Sequence, residues 1–371
     1  MTQKTDGLLV VTNLYPVPWA PNRASFNKQQ FDLLAREMPV YIIVLIPWLE
    51  WFKHKKQWHS QDNIKPCPYF YLPKIGRRFV PLFQKFALKQ CLPWIKSKSL
   101  KAILASWGFP DAVAVTKLNK QLNLPLFVKV HGTDVNENCQ VASRAIQMKQ
   151  GFDQANQVFC ASRALADELE KIGVSRDKLN VNYNGVNPAV FYPSAESKVV
   201  KRLVFVGSLI PTKGVSELLE AFLAVYQNDA SVSIDIIGSG PMSETILAWI
   251  KQHQLENSVN FLGSLPLPEV AAHIRKSALL VLPSYREGVP NVVLESFASG
   301  TPVVSTTVGG IPEVVNDKVG LLVKPKNSIE LTRAIEHALA TEWQEQDILS
   351  HASAFDWQRN IENVKACIEA S

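Results

Sequence analysis

The feature that most limits what this chain can become is a rhythm. Short, almost wholly apolar runs rich in Val, Ile and Leu recur from end to end, and amphipathic segments separate them. LLVVTN (8–13), YIIVLI (41–46), AILA (102–105), LFVKV (126–130), QVFCAS (157–162) and LNVNYNG (179–185) form a first group. RLVFVG (202–207), VSIDIIG (232–238), VNFLG (259–263), ALLVLP (278–283), TPVVST (301–306) and VGLLV (319–323) form a second. Between them, segments such as VSELLEAFLAVYQ (215–227) and SIELTRAIEHALA (328–340) space their apolar residues as helices do. A strand that is apolar on both faces must be covered on both, so the alternation predicts an α/β fold of parallel sheets flanked by helices. Twelve strands are too many for one comfortable open sheet, and two doubly wound parallel-sheet domains are expected. The polar, Pro-containing stretch FYPSAESKVVKR (191–202) is the expected break. The domains are therefore drawn as 1–192 and 193–352, followed by a terminal stretch, 353–371, that ends in a helical pattern.

Composition removes several classes. With 47% apolar and 19% charged residues the chain is globular rather than disordered. Its longest apolar runs are of strand length, far short of a membrane span, and MTQKTDGLLVVTNLYP lacks the apolar core of a signal peptide. The five cysteines, at 67, 91, 139, 160 and 367, are dispersed and odd in number, which reads as reduced thiols in a cytoplasmic protein. The net charge of +6 hides an asymmetry. Residues 1–200 hold 26 basic against 14 acidic side chains, and 201–371 hold 13 against 19. Twelve bases and one acid, Asp62, fall within 51–101, so a polyanionic partner is expected on the first domain only. That segment also carries one helical stretch, about 79–96. A helical wheel puts Phe79, Phe83, Phe86, Cys91 and Trp94 on one side and Lys85, Lys89 and Lys96 on the other. Such a helix either docks on the sheet with a solvated basic face or rests on anionic lipid.

Three strand–loop–helix units in the second half can carry chemistry. FVGSLIPTKGVSELLEAF (205–222) places Gly207, Ser208 and Lys213 in a loop that matches neither G-x-G-x-x-G nor a P-loop. A lysine just before a helix start can still hold a phosphate, although a lone loop lysine is more often merely solvated. IDIIGSGPMSETI (234–246) repeats the geometry, with Gly238 and Gly240 serving either a ligand's close approach or only a tight turn. REGVPNVVLESFASG (286–300) puts Glu287 in the loop and Glu295 in the helix, with Pro290 suited to its first turn and Gly300 to its end. Glu295 lies in an otherwise apolar helix, where an unpaired carboxylate is costly. His131 follows a buried strand in His-Gly-Thr-Asp, a position that favours function over packing.

E-G-V-P-N-V-V-L-E, followed by A-S-G-T-P-V-V and G-G-I-P-E-V-V, resembles the E-x7-E signature of the retaining GT-B glycosyltransferases of family GT4. FVGSLIPTKG, HGTDVN (131–136) and NYNGVNPAVFYP (182–193) look like that family's phosphate loop, His-Gly loop and interdomain segment. The resemblance implies two facing Rossmann-like domains with a cleft between them, an acceptor-binding 1–192 and a nucleotide-sugar-binding 193–352. The terminal helix is implied to cross back to the first domain. It further implies that Glu287 hydrogen-bonds the donor sugar and Glu295 the ribose, and that Lys213 holds the diphosphate beside Gly207, Ser208 and Gly240. Gly288, Val289, Pro290 and Asn291 would face sugar and diphosphate, with Phe261 and Leu262 beside the base. His131 would sit near the reacting carbon, with Gly132, Asp134 and Arg23 on the acceptor side. No Asp-x-Asp occurs, so neither a metal nor another cofactor is expected. Three departures stand out. Ser208 replaces the family's usual Arg, Asn187 its usual Asp, and YPVPWAPNRASF (15–26) lacks paired glycines, where Arg23 offers a compensating charge.

The expected activity is retaining, metal-independent transfer from a nucleoside-diphosphate sugar to a glycan or lipid-linked acceptor in polysaccharide or glycoconjugate synthesis. Attachment to an anionic inner membrane face through 51–101 is expected, and a nucleic-acid partner is not. The alternatives are a GT-B protein of other chemistry, such as an epimerase, and a non-catalytic nucleotide-sugar sensor.

Overall fold

In the computed structural model, which describes residues 6–71, 76–194 and 198–371, the chain forms two compact units. One comprises Met1–Asn184 with Trp357–Ser371, the other Gly185–Asp356. Residues 195–197 of the polar stretch 191–202, and Lys74 of the basic segment, lie outside the described residues.

The first unit holds seven parallel strands: β1 (Gly7–Thr12), β2 (Val40–Pro47), β3 (Ile64–Tyr69), β4 (Leu100–Ala105), β5 (Leu126–Val130), β6 (Gln157–Cys160) and β7 (Leu179–Val181). Their order is β3-β2-β1-β4-β5-β6-β7. The apolar runs are apolar throughout because both faces are covered. Leu8 and Val10 enter the core on one face, and Leu9 and Val11 the core on the other. The last helix, Trp357–Glu369, belongs to this unit, burying Ile361, Val364 and Ile368 in the same core as Leu8. Each such side chain contributes roughly 1.5–3 kcal/mol. A polar chain fastens it further, because Lys129 Nζ donates to Gln30 Oε1 (2.8 Å), Gln30 Nε2 to Asn360 Oδ1 (2.5 Å) and Asn360 Nδ2 to the Tyr183 carbonyl (2.7 Å).

β3 was not among the expected strands. Pro66 and Pro68 disguise it, and they are tolerated because β3 is an edge strand. Prolines two apart send their missing donors the same way, away from β2. The single helix expected over about 79–96 is instead a 3-10 turn (Arg77–Phe79), a helix (Val80–Gln90) and a short helix (Leu92–Lys96) whose second residue is Pro93. Its apolar face also differs. Val80, Gln84, Ala87 and Leu88 are buried, whereas Phe79 and Phe86 are 44% and 60% exposed. The wheel weighted ring size, whereas the smaller Val80, Ala87 and Leu88 are the residues that enter the core.

The second unit holds six parallel strands: β8 (Val199–Val206), β9 (Ser233–Ile237), β10 (Val259–Gly263), β11 (Ser277–Leu282), β12 (Val303–Thr306) and β13 (Gly320–Val323), in the order β10-β9-β8-β11-β12-β13. In each sheet the order reverses once, between β1 and β4 and between β8 and β11. Loops leaving the carboxyl ends of such strand pairs diverge and leave a crevice, the place where open α/β sheets bind ligands.

Candidate functional site

The β8 and β11 loops meet at the switch point of the second unit. Lys213 ends a 3-10 turn, Pro211–Lys213, and its ammonium pairs with Glu287, which follows β11. Ser284 Oγ donates to the same carboxylate oxygen at 2.7 Å. The loop is anchored beneath, because Thr306 Oγ1 on β12 donates to the Ser284 carbonyl (2.5 Å) and the Tyr285 amide to the Thr212 carbonyl (2.8 Å). Tyr285 also donates its hydroxyl to Glu217 on the helix Val215–Asn228. Glu287 thus carries a carboxylate fixed by a cation and a hydroxyl, on loops that are themselves tied down.

Two glycines explain how closely these loops pack. Gly309 has φ +55°, and a Cβ there would lie 1.9 Å from the Glu287 carbonyl oxygen. The neighbouring Gly310 amide donates to the Gly288 carbonyl at 2.8 Å, so the Gly-Gly turn clamps the Glu287 loop. Gly238 has φ +143°, and a Cβ would strike the Gly207 carbonyl oxygen at 1.8 Å. The close approach at Gly238 is to the Gly207 loop, a packing role beyond the ligand approach and the tight turn expected for it.

The helix after Glu287 runs Asn291–Ala298, with Pro290 as its N-cap rather than in its first turn. Gly288, Val289 and Pro290 are buried behind it, and Asn291 is half-buried at its start. Glu295 lies one turn in, and burial alone pushes its carboxyl up to about 7. No described residue donates a hydrogen bond to that carboxylate, in contrast to Glu287. Gly207 and Gly240 are half-buried on neighbouring loops and Ser208 is exposed. Phe261 and Leu262 are half-buried at the end of the edge strand β10.

In the first unit, His131 follows β5. Its Nε2 lies 3.0 Å from Ser106 Oγ, and its ring sits between Trp107 and Phe26 at centroid distances of 6.0 and 5.2 Å. Nδ1 is buried with no partner among the described residues. Burial, with Lys129 nearby, holds the imidazole well below its ordinary pKa, so the ring is neutral. Asp134 is fully buried and accepts from the amides of Gly108 (2.8 Å), His131 (3.0 Å) and Gly132 (2.8 Å), so it shapes the loop from beneath. Arg23 is ion-paired with Glu50 at 2.5 Å, and Trp19 Nε1 donates to the same oxygen at 2.7 Å.

Residue patterns did not single out a buried polar group at the β1–β4 crevice. Asp111 is fully buried and accepts from the Asn13 amide (2.6 Å) and Gln84 Nε2 (2.8 Å), and burial pushes its carboxyl up to about 7. The argument applied to Glu295, an acid in an apolar setting, would have found it in WGFPDAVAV.

Comparison with known proteins agrees with these features. Residues 192–354 match the family described as glycosyl transferases group 1, and residues 34–190 match glycosyltransferase family 4. The chain is 27% identical to TuaC of Bacillus subtilis, a putative teichuronic acid biosynthesis glycosyltransferase, over 362 residues covering 88% of each chain. It is 32% identical to WcaL of Escherichia coli, a putative colanic acid biosynthesis glycosyltransferase, over 219 residues, 57% of this chain and 53% of that one. In fold it resembles HepE of Anabaena, solved with UDP, at a TM-score of 0.76 and 18% identity over 98% of this chain and 100% of HepE. Sucrose-phosphate synthase of Thermosynechococcus elongatus gives a TM-score of 0.78 at 19% identity, covering 98% of both chains. With family matches across both units and the GT-B fold in each comparison structure, the chain is a glycosyltransferase of the group 1, family 4 type.

Proposed function

We propose that this glycosyltransferase moves a sugar, with retention of anomeric configuration and without a metal, from a nucleoside-diphosphate sugar to a glycan or lipid-linked acceptor in polysaccharide or glycoconjugate synthesis. The observation that carries the donor reading is Glu295, a half-buried carboxyl that burial pushes up to about 7 and to which no described residue donates. A partly desolvated carboxylate gains when a ligand supplies donors in place of water, and a ribose supplies two hydroxyls. Glu287, held by Lys213 and Ser284, would take the sugar hydroxyls. An arriving diphosphate would draw the Lys213 ammonium toward itself, and the amides opening the helix Asn291–Ala298 would add their partial charge. Together they would stabilise the departing diphosphate while the sugar passes through an oxocarbenium-like state. Neutral His131, with Nδ1 unspent, would hydrogen-bond a hydroxyl near the reacting carbon. The UDP bound by HepE and the polysaccharide roles attributed to TuaC and WcaL support this reading.

Peripheral attachment to an anionic cytoplasmic membrane face forms part of the proposal. Trp48, Leu49, Phe52, Phe70, Phe79, Leu82 and Phe86 are exposed. Lys55, Arg78 and Lys89 sit over Phe52, Phe79 and Phe86 at 5.1, 4.7 and 5.8 Å from the ring centroids. Rings that insert among acyl chains beneath cations that meet headgroups make an interfacial surface. No helix among the described residues is long and apolar enough to cross a membrane.

The donor test is a thermal-shift panel of nucleoside diphosphates and their sugars, followed by donor hydrolysis without acceptor. One nucleotide should raise the melting point, and Glu287→Ala should lose hydrolysis while keeping nucleotide binding. No stabilisation by any member of the panel would sink the reading. For the membrane, sedimentation with phosphatidylglycerol vesicles should weaken when Lys85, Lys89 and Lys96 are reversed to Glu, and indifference to that change would refute attachment.

A further inference from the structure

The first unit holds a pocket of about 290 Å³ at the carboxyl ends of its strands, and residue patterns gave no hint of it. Asn13 lies at the β1 end, Tyr69 and Tyr71 at the β3 end and Trp107 at the β4 end, with Arg77 and Glu137 completing its wall. Its chemistry is specific in three respects. The walls are broad and aromatic, with Tyr69 and Tyr71 tilted against one another at 6.4 Å. Flat rings beside polar groups suit a pyranose, whose C–H faces stack while its hydroxyls hydrogen-bond.

One acceptor of the pocket lacks a donor. Asn13, which lines the pocket, has its Oδ1 buried with no partner among the described residues. Unmet acceptors cost free energy unless an O–H reaches them, which argues for a hydroxyl-rich ligand and against a purely apolar one. The third respect is charge. Arg77 is exposed, and no described residue forms an ion pair or hydrogen bond with its guanidinium. Arg144, which donates to the pocket-lining Asn138 at 3.2 Å, adds a second cation against the single carboxylate of Glu137. An unpaired planar guanidinium can donate two parallel N–H bonds to two oxygens of a phosphate.

The exposed apolar surface begins where this pocket opens. Phe70 stands between Tyr69 and Tyr71, is 44% exposed, and stacks on Trp48 at 6.2 Å. Phe79 follows Arg77 by two residues and is equally exposed. A ligand with its sugar among the tyrosines and its phosphate on Arg77 would find greasy surface next along its length.

We propose that this pocket binds the acceptor at its sugar–phosphate junction, and that the acceptor is a sugar carried on a lipid phosphate or diphosphate. The proposal rests on the transferase reading above and narrows its acceptor from glycans in general to a lipid-anchored anion. The pyranose stacks against Tyr71 and Trp107 and donates to Asn13, the phosphate pairs with Arg77, and the chain leaves over Phe70 and Phe79.

The test is calorimetric titration of the full-length protein with four probes: farnesyl diphosphate, inorganic pyrophosphate, glucose 1-phosphate and octyl glucoside. Farnesyl diphosphate should bind at least tenfold more tightly than pyrophosphate or glucose 1-phosphate. Arg77→Gln should weaken farnesyl diphosphate about tenfold or more and leave octyl glucoside nearly unchanged, and Arg77→Lys should restore part of the loss. Melting curves of each variant keep misfolding from passing for lost binding. An Arg77→Gln protein that melts like the parent and binds farnesyl diphosphate equally well would overturn the role of Arg77. Glucose 1-phosphate binding as tightly as farnesyl diphosphate would overturn the lipid anchor in favour of a soluble sugar phosphate. Donor hydrolysis by the unmodified enzyme, measured without acceptor, tests the transferase reading separately, so the two failures cannot be confused.

Discussion

Glu295→Gln should make the ligand-free protein more stable while removing its hold on a nucleotide. Burial raises this carboxyl from 4.5 to about 7. At about 1.4 kcal/mol per tenfold change in proton affinity, the ionised form costs the folded state about 3 kcal/mol. The sign follows from proton counts. Between about 4.5 and 7 the folded protein keeps a proton that the unfolded chain has released, so rising pH destabilises the fold through that window. Above it the cost is constant. Glutamine has a similar shape and no charge, so the variant should match the parent near pH 4.5 and exceed it by about 3 kcal/mol at pH 8.5. For a unit of this size that is roughly 6–12 °C in melting temperature. Asp111, whose carboxyl is also raised to about 7, titrates identically in both proteins and cancels in the difference. The assay is paired calorimetric melting at pH 5 and 8.5, with and without the nucleotide found in the panel. A variant no more stable than the parent at pH 8.5 would show that the carboxylate is solvated, and the argument that a ligand must supply its donors would fall with it. A stabilised variant that still gained as much from the nucleotide would refute only the ribose contact.

Three further outcomes are expected. Lys213→Met removes the cation paired with Glu287 and should weaken nucleoside-diphosphate binding about tenfold to a hundredfold, read by calorimetric titration, as suits a charge-assisted contact. Gly309→Ala places a methyl 1.9 Å from a backbone oxygen at φ +55°. It should destabilise the second unit by about 2–4 kcal/mol in chemical denaturation and lower donor hydrolysis, because the clamp on Glu287 shifts. Lys129 is enclosed, and burial lowers its ammonium from 10.5 to about 7. Folding therefore expels a proton between those values, so stability of the first unit should rise with pH from about 7 to 10, and Lys129→Met should flatten that slope.

What residue patterns reveal here depends on whether a feature is periodic. Strands buried on both faces, such as β1 and β11, announce themselves because every position must be apolar. β3 stayed hidden because an edge strand bonds on one side only, and Pro66 and Pro68 occupy the side that faces away. Glu295 was legible as an acid among apolar helix residues. Its partner-free state was not, since that depends on what the β8 and β11 loops place nearby. Arg23 illustrates the opposite failure. Its type suggested a free charge for an acceptor, but Glu50, 27 residues away and brought close by the helix Trp48–His54 after β2, pairs with it.

The segment around β3 carries the most informative disagreement. A helical wheel assumes that the largest apolar face is the buried face, yet here Val80, Ala87 and Leu88 go in while Phe79, Leu82 and Phe86 stay out. Half of the large exposed apolar side chains among the described residues fall between Trp48 and Phe86. Solvent alone gives no reason to keep them, since each forgoes stabilisation and invites aggregation. The edge of β3 is guarded against that outcome by its prolines, and cations lie over Phe52, Phe79 and Phe86. A surface protected against strand addition but still apolar and cationic is suited to lipid rather than to another sheet. This is why Phe86→Ser with Phe52→Ser should raise solubility without lowering the melting point, and should abolish vesicle binding. Loss of melting temperature in that double variant would instead show that the rings support the fold, and the interfacial reading would fail.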